Sequence, residues 1–271
     1  LLVVTKFFLL GLFMYLFLRK IKVDFWPVFI GSLVYMLCGF NTVWLLWPHT
    51  LVMVLAPLYF LGLEQLLLTP TLKQSMWTGL VVAGMLLAGF PAVAGYMFYA
   101  GGLFVAMRCY QLWKVQKDPA ILKKQLGYFV LSFIFGLLLS AIQLLPTLEY
   151  YKFIDISYRS TQALLALPAS SLWQIIFPHY WGNPALHNWE GAVNFNETTG
   201  YIGIVAFVFL LVGIARGIQK KYFLPVFFGG VALLALSAVY HIGPLLDLIH
   251  FLPIFNSSSN TRLLALFGFF G

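Results

Sequence analysis

Apolar residues fall along this chain in long continuous blocks rather than in alternation. Leu126 to Pro146 reads LGYFVLSFIFGLLLSAIQLLP, and Tyr201 to Ala215 reads YIGIVAFVFLLVGIA. Strands of a membrane barrel alternate apolar and polar positions over about ten residues. Hydrocarbon admits only helices or closed barrels, because each backbone N–H and C=O must find its partner within the protein. A helix needs roughly 20 apolar residues to cross a core about 30 Å thick. The pattern therefore predicts an all-α, polytopic integral membrane protein, a single transmembrane domain over residues 1–271. Spans are expected near 2–18, 26–40, 49–67, 76–90, 92–107, 126–146, 200–215 and 222–240, with a ninth beginning near Leu263, about 8–9 in all.

Pro91 either kinks one helix or separates two, and charge decides between these. Short cytoplasmic loops are enriched in Lys and Arg. With two helices around Pro91, Arg19, Lys20, Lys22, Lys73, Arg108, Lys114, Lys117, Lys123, Lys124, Arg216, Lys220 and Lys221 share one side, 12 of the 16 basic residues. A single helix would set the first three against the Arg108–Lys124 group, so two helices are expected. Lys6, Lys152, Arg159 and Arg262 remain outside, with Glu149, Asp155, Glu190, Glu197 and Asp247. The cytoplasmic cations read as orienting signals, and the longest cytoplasmic connection is expected around Lys114 to Lys124.

Composition agrees. The chain is 62% hydrophobic, 18% aromatic and 9% charged, whereas a soluble domain carries about 25% charged residues to cover its surface. Disorder and a disulfide scaffold are excluded. The net charge of +8 follows from topology, and no nucleic-acid partner is expected. The chain opens on Leu1-Leu2-Val3, and its last apolar stretch stops after about nine residues, too few to span. Both ends read as those of a fragment. Cys38 and Cys109 fall on opposite sides and are expected to be packing residues, not a disulfide.

Two outer loops carry the chemistry. The first, 147–199, is expected to hold short interfacial helices: Ser157 to Leu167, and Leu172 to Phe177 ending before Pro178. Trp173, Tyr180, Trp181 and Trp189 would lie at headgroup depth. Its polar patch Asn194 to Thr199 is expected to run directly into a helix at Gly200-Tyr201. Glu197 then has two readings: a carboxylate stabilising a helix N-terminus, or a site residue among Asn194, Asn196 and aromatic neighbours. The second loop, 241–262, contains Asp247, His250 and the run Asn256 to Thr261 before Arg262. Arg262 either extends its guanidinium to the interface or pairs with a lipid phosphate, for which a planar bidentate donor is suited. His179, His187, Glu190 and Glu197 share a loop, but separations of eight, three and seven residues match no familiar zinc pattern. No metal or other cofactor is expected. His49 sits among Trp44, Trp47 and Pro48 in the first outer turn. Gln143, polar within an apolar run, is expected to make an interhelical hydrogen bond, with Glu149 emerging above it.

Several stretches, in this order, are similar to one family. They are Gly11 to Arg19 (GLFMYLFLR) with Phe40 to His49 (FNTVWLLWPH), Leu55-Ala56-Pro57-Leu58 with Leu63-Glu64, Gln143 to Glu149 (QLLPTLE), Asn194-Phe195-Asn196-Glu197 before Gly200-Tyr201-Ile202-Gly203, and Asn260-Thr261-Arg262. The chain resembles the bacterial YfhO-like membrane proteins, themselves similar to GT-C glycosyltransferases. The resemblance implies a GT-C-like fold in the bacterial cell membrane and a polyprenyl-phosphate sugar donor. It also implies membrane lipid as a partner, with a cell-envelope glycopolymer such as a teichoic acid as acceptor.

A phosphate leaving group calls for cations, and an acceptor hydroxyl calls for a general base. Lys152, Arg159, Arg262, His49 and His179 are the substrate-binding candidates, and Glu149 and Glu197 the candidate bases. GT-C enzymes typically carry their catalytic carboxylate in the first outer loop, and this chain is expected to begin after that loop. Asp24 lies on the cytoplasmic side and does not fill that role. The stretch Ala88-Gly89-Phe90-Pro91-Ala92 also departs from the family, with apolar residues where His and Gln would flank the proline. A transporter or lipid flippase would instead place charges or paired helix breaks at the bilayer midplane. A non-catalytic scaffold is the third reading.

Overall fold

The computed structural model of the chain describes residues 1–155, 163 and 165–271. Among them all regular structure is helical. The chain divides into two compact units, Leu1–Ser32 with Trp47–Asp155, and Leu33–Leu46 with Ile156–Gly271.

The first unit contains α1 (Leu2–Lys20), the start of α2 (Phe25–Leu37), α4 (Pro48–Leu68), α5 (Leu72–Leu87), α6 (Pro91–Gln116) and α7 (Pro119–Tyr150). The second contains the end of α2, α3 (Gly39–Val43), α8 (Phe195–Thr198), α9 (Ile204–Lys220), α10 (Phe223–Val239), α11 (Leu245–Ile249) and α12 (Leu264–Phe270). Among the described residues four helices, α1, α4, α6 and α7, are long and apolar enough to cross a membrane, while α2 and α10 are apolar but shorter. Two helices do flank Pro91, with Gly89 in a left-handed conformation between them. Helix α5 is only 16 residues, about 24 Å at the α-helical rise. It begins with Lys73, Gln74, Ser75 and Thr78, which limits its apolar length.

Helix α4 is the hub of the first unit, packing against α1, α5 and α6. Phe17, Phe60 and Phe104 meet edge-on or tilted at 5.5–6.4 Å, joining α1, α4 and α6. The closest crossing is α5 on α7. A Cβ built on Gly79 would lie 2.6 Å from the Ser132 carbonyl oxygen, and one on Gly136 would lie 2.6 Å from Val82 Cγ1. Small residues allow this approach, and Ser75 Oγ ties it down by donating to the Tyr128 carbonyl at 2.9 Å.

Two expectations about connections are corrected. The Lys114–Lys124 stretch is not a long loop, because α6 and α7 extend through it from both sides. Lys117 adopts the left-handed conformation that ends α6, and the Asp118 side chain accepts from Ala120 N at 2.8 Å, starting α7 with Pro119 in its first turn. Helix α7 therefore runs 32 residues, about 48 Å, beyond the expected 126–146. Gln143 does not bond between helices. Its Nε2 donates to Thr147 Oγ1 in the same helix at 3.4 Å, on an exposed face.

In the second unit α12 is buried along its whole length and packs on α10, while α9 also packs on α10. Phe269 meets Tyr35 edge-on at 5.5 Å, and Phe270 meets Phe228 at 5.1 Å. This core carries the loop residues that follow.

Candidate functional site

The polar patch expected to open a helix at Gly200 is built otherwise. Residues Phe195–Thr198 form the single turn α8, the chain then runs irregularly from Thr199 to Gly203, and α9 starts only at Ile204. Gly203, with φ of +99°, makes the break that a side chain would resist. The linking segment is held against α3: Gly39 N donates to the Tyr201 carbonyl at 2.6 Å, and a Cβ on Gly39 would come within 2.7 Å of Thr199 Cγ2. Asn194 caps α8 by accepting from Asn196 N at 2.9 Å, and Asn196 Nδ2 donates to the Val43 carbonyl at 3.4 Å. The hydroxyls of Thr198 and Thr199 donate back to the Phe195 carbonyl at 2.9 and 2.7 Å. These contacts fix one side chain, Glu197, at the tip of a rigid turn.

Its partner comes from the 3-10 turn Asn260–Leu263, anchored by the buried α12. Asn260 is fully buried, and its Nδ2 donates to the carbonyls of Ala163 at 2.6 Å and Phe255 at 2.9 Å. Arg262 donates to Glu197 Oε1 through Nε at 3.1 Å and Nη2 at 2.8 Å. Thr261 Oγ1 donates to the other oxygen, Oε2, at 2.6 Å. The Arg262 Cζ lies 5.8 Å from the Trp44 ring centroid, within cation–π range. Both charged side chains are about four-fifths buried. Glu197 is therefore stabilised by Arg262 and Thr261, not by the dipole of a following helix. A carboxylate offers about four lone-pair sites, and three are taken here. Among the described residues Oε2 retains one acceptor site.

The other candidates are placed singly. His49, in the first turn of α4, is buried and stacks on Phe90 with centroids 3.6 Å apart. The apolar Phe90 thus packs against the imidazole of His49. Glu149 is exposed in the last turn of α7, and Lys152 is exposed just after it. These three belong to the first unit. His179 is exposed in the second unit, with Nδ1 3.1 Å from Asn183 Nδ2. Arg159 and most of the expected Ser157–Leu167 helix lie outside the described residues. The Leu172–Phe177 piece is instead a 3-10 helix over Ala169–Ile175. No group of three or more His, Cys, Asp or Glu that could hold a metal occurs among the described residues.

One pairing escaped the sequence reading. Glu64, on α4, receives two hydrogen bonds from Arg108 on α6, one from Nε to Oε2 at 2.8 Å and one from Nη2 to Oε1. Arg108 Nη1 also donates to Gln111 Oε1 at 2.6 Å. Nearby in the chain, Gln125 Nε2 donates to the Leu67 carbonyl at 2.8 Å, and Cys109 Sγ lies 3.8 Å from Gln125 Oε1. Both cysteines are free and buried. Arg108 is thus a structural partner of Glu64.

Among the described residues all regular structure is helical, four helices are long and apolar enough to cross a membrane, and a partly buried carboxylate–guanidinium pair is set in loop turns, the make-up of a helical membrane protein. The family model described as bacterial membrane protein YfhO matches residues 1–250, and the chain belongs to that family. Glu197 lies inside the matched region and Arg262 beyond it. No curated protein and no solved structure matches the chain.

Proposed function

We propose that this YfhO-family protein is a membrane-embedded, GT-C-like glycosyltransferase. It moves a sugar from a polyprenyl-phosphate donor to a cell-envelope acceptor on the outer face of the bacterial cell membrane. The observation that carries this reading is the Glu197–Arg262 pair with Thr261. In a chain with only eight acidic residues, it sets a carboxylate and a guanidinium in hydrogen-bond contact on loops that the charge distribution assigns outside.

Transfer requires an acceptor hydroxyl to attack the anomeric carbon as the bond from that carbon to the phosphate oxygen breaks. The hydroxyl proton must go to a base, and the departing polyprenyl phosphate must have its charge compensated. Glu197 Oε2, with its remaining acceptor site, takes the proton. Arg262 shares its fork between Glu197 and the phosphate, which a planar five-donor group can do. Thr261 holds the carboxylate's orientation. Arg159 is a further cation for the donor phosphate and His179 a further substrate contact, whereas His49, Lys152 and Glu149 belong to the first unit and take no part in this step.

The test is transfer of sugar to envelope polymer by the intact protein in cells deprived of the native copy. Glu197→Gln keeps the size and a carbonyl acceptor but removes the base, so transfer should fall by about 10²–10⁴ with unchanged protein level. Arg262→Lys keeps the charge and loses the fork, and should retain more activity than Arg262→Ala. Full transfer by Glu197→Gln and Arg262→Ala would overturn the assignment. Substrate-dependent flux in liposomes without sugar transfer would replace it with a transporter.

A further inference from the structure

The loop between the 3-10 helix and α8 carries a feature that the charge pair does not use. Trp173 and Tyr180 stack, with centroids 6.1 Å apart and planes at 27°, and each is half-exposed. Trp181 braces Tyr180 edge-on at 5.1 Å. The loop is locally rigid. Gly182 turns with φ of +88°, Asn183 N donates to Asn188 Oδ1 at 2.8 Å, Glu190 N donates to the Trp181 carbonyl at 2.9 Å, and Asn183 Oδ1 accepts from Ala185 N at 2.8 Å. These contacts order the turn that carries Trp181, whose ring braces the stacked pair.

Two further observations bear on what covers them. Each stacked ring is followed in the chain by a buried polar group with no partner among the described residues. These are both amide atoms of Gln174 after Trp173, and the indole N–H of Trp181 after Tyr180. Buried polar groups are normally satisfied, so this loop has donor and acceptor capacity in reserve. In addition, no Lys or Arg occurs between Arg159 and Arg216, while His179 precedes Tyr180 and Asn183, His187, Asn188 and Glu190 follow it. Segments that adsorb to a membrane surface are rich in Lys and Arg on their polar face. This one carries a single carboxylate, Glu190, no cation, and several amides and imidazoles instead.

We propose that Trp173 and Tyr180 form a binding platform for a neutral oligosaccharide. The C–H face of a pyranose, slightly positive, lies against the negative aromatic faces, and its hydroxyls exchange hydrogen bonds with the Asn183 and His179 side chains. This deepens the transferase reading and rests on it for the ligand being a glycan. The platform would hold uncharged sugar units of an envelope glycan, since this loop brings no cation for the phosphates of a teichoic acid backbone.

The test uses the intact protein in lipid nanodiscs and a panel of neutral hexose and N-acetylhexosamine oligosaccharides, followed by saturation-transfer NMR. Saturable binding is expected, with transfer concentrated on the C–H protons of one sugar face. Trp173→Ala or Tyr180→Ala should weaken it roughly tenfold, the scale of losing one stacked aromatic contact. Trp173→Phe should retain most of it, which separates loss of the platform from loss of the fold. Absence of saturable binding across the panel, or binding indifferent to both alanine variants, would overturn the proposal. So would strong quenching by brominated lipid of a fluorophore attached at Phe177→Cys, which would make the rings membrane anchors. Binding without sugar transfer would uphold the platform and count against the transferase. Transfer without binding would remove the platform alone.

Discussion

Replacing Arg108 by Met should be among the most damaging single changes to the first unit, for a reason set by asymmetry of burial. The Glu64 side chain is 2% exposed and that of Arg108 17%. Among the described residues, the hydrogen bonds that the Glu64 carboxylate receives come from Arg108, whereas Arg108 also reaches Gln111. Arg108→Met therefore strands a carboxylate between packed helices, a loss of about 3–5 kcal/mol. Glu64→Gln leaves a hydrogen-bonding group in place and a guanidinium that keeps Gln111, and should cost about 1–3 kcal/mol. The double variant Glu64→Leu, Arg108→Met replaces the pair by apolar groups of similar size and should lie within about 2 kcal/mol of wild type. The assay is reversible unfolding of the purified protein in mixed micelles titrated with SDS, with all variants followed by the same probe. The double variant should be more stable than Arg108→Met alone. Losses that simply add, or an Arg108→Met variant no worse than Glu64→Gln, would refute the claim that the two side chains are one energetic unit.

Two further changes test the packing. Gly136→Val places branched carbons where even a Cβ would come within 2.6 Å of Val82 Cγ1, so α5 and α7 must separate, costing about 2–4 kcal/mol and lowering the SDS midpoint; Gly127→Val, at an open position of α7, should not. Asn260→Ala leaves the Ala163 and Phe255 carbonyls without their donor, a loss of about 1–3 kcal/mol. Because that residue supports Arg262, limited proteolysis should cut the 241–262 loop faster than in wild type.

Helix placement was legible because lipid imposes a strong pattern on sequence. Two helices flank Pro91 as expected, and α4 matches its expected range nearly residue for residue. What windows of apolar residues miss is amphipathic extension. Helix α7 continues through Lys123 and Lys124 because Asp118-Pro119 is a helix start, a local signal independent of hydropathy. The candidate site was legible as a set of residues but not as a geometry. Glu197 and Arg262 are 65 positions apart, and each had a sufficient local explanation, a helix dipole for one and an interfacial reach for the other. Only tertiary packing, with α12 buried and Gly39 holding the Thr199–Tyr201 segment, brings them together. His49 is legible as a helix-start residue beside two tryptophans, but the packing of its ring inward onto Phe90 is again a product of tertiary structure.

The two buried ion pairs differ in what they are built on, and that difference bears on function. Glu64 and Arg108 project from long helices whose positions are set by wide apolar contacts, so the pair ties together elements that already pack. Glu197 and Arg262 project from a one-turn helix and a 3-10 turn, each fixed by side-chain hydrogen bonds to backbone carbonyls. Such turns contribute little burial of their own, and ordering them costs conformational entropy. A pair needed only for stability would be more economically replaced by apolar residues. A carboxylate fixed by three donors on immobile turns, with an acceptor site still open on Oε2, has the preorganisation that proton transfer requires. The first pair is therefore expected to respond to substitution through stability alone. The second should lose more activity than its change in stability accounts for in the conservative variants Glu197→Gln and Arg262→Lys.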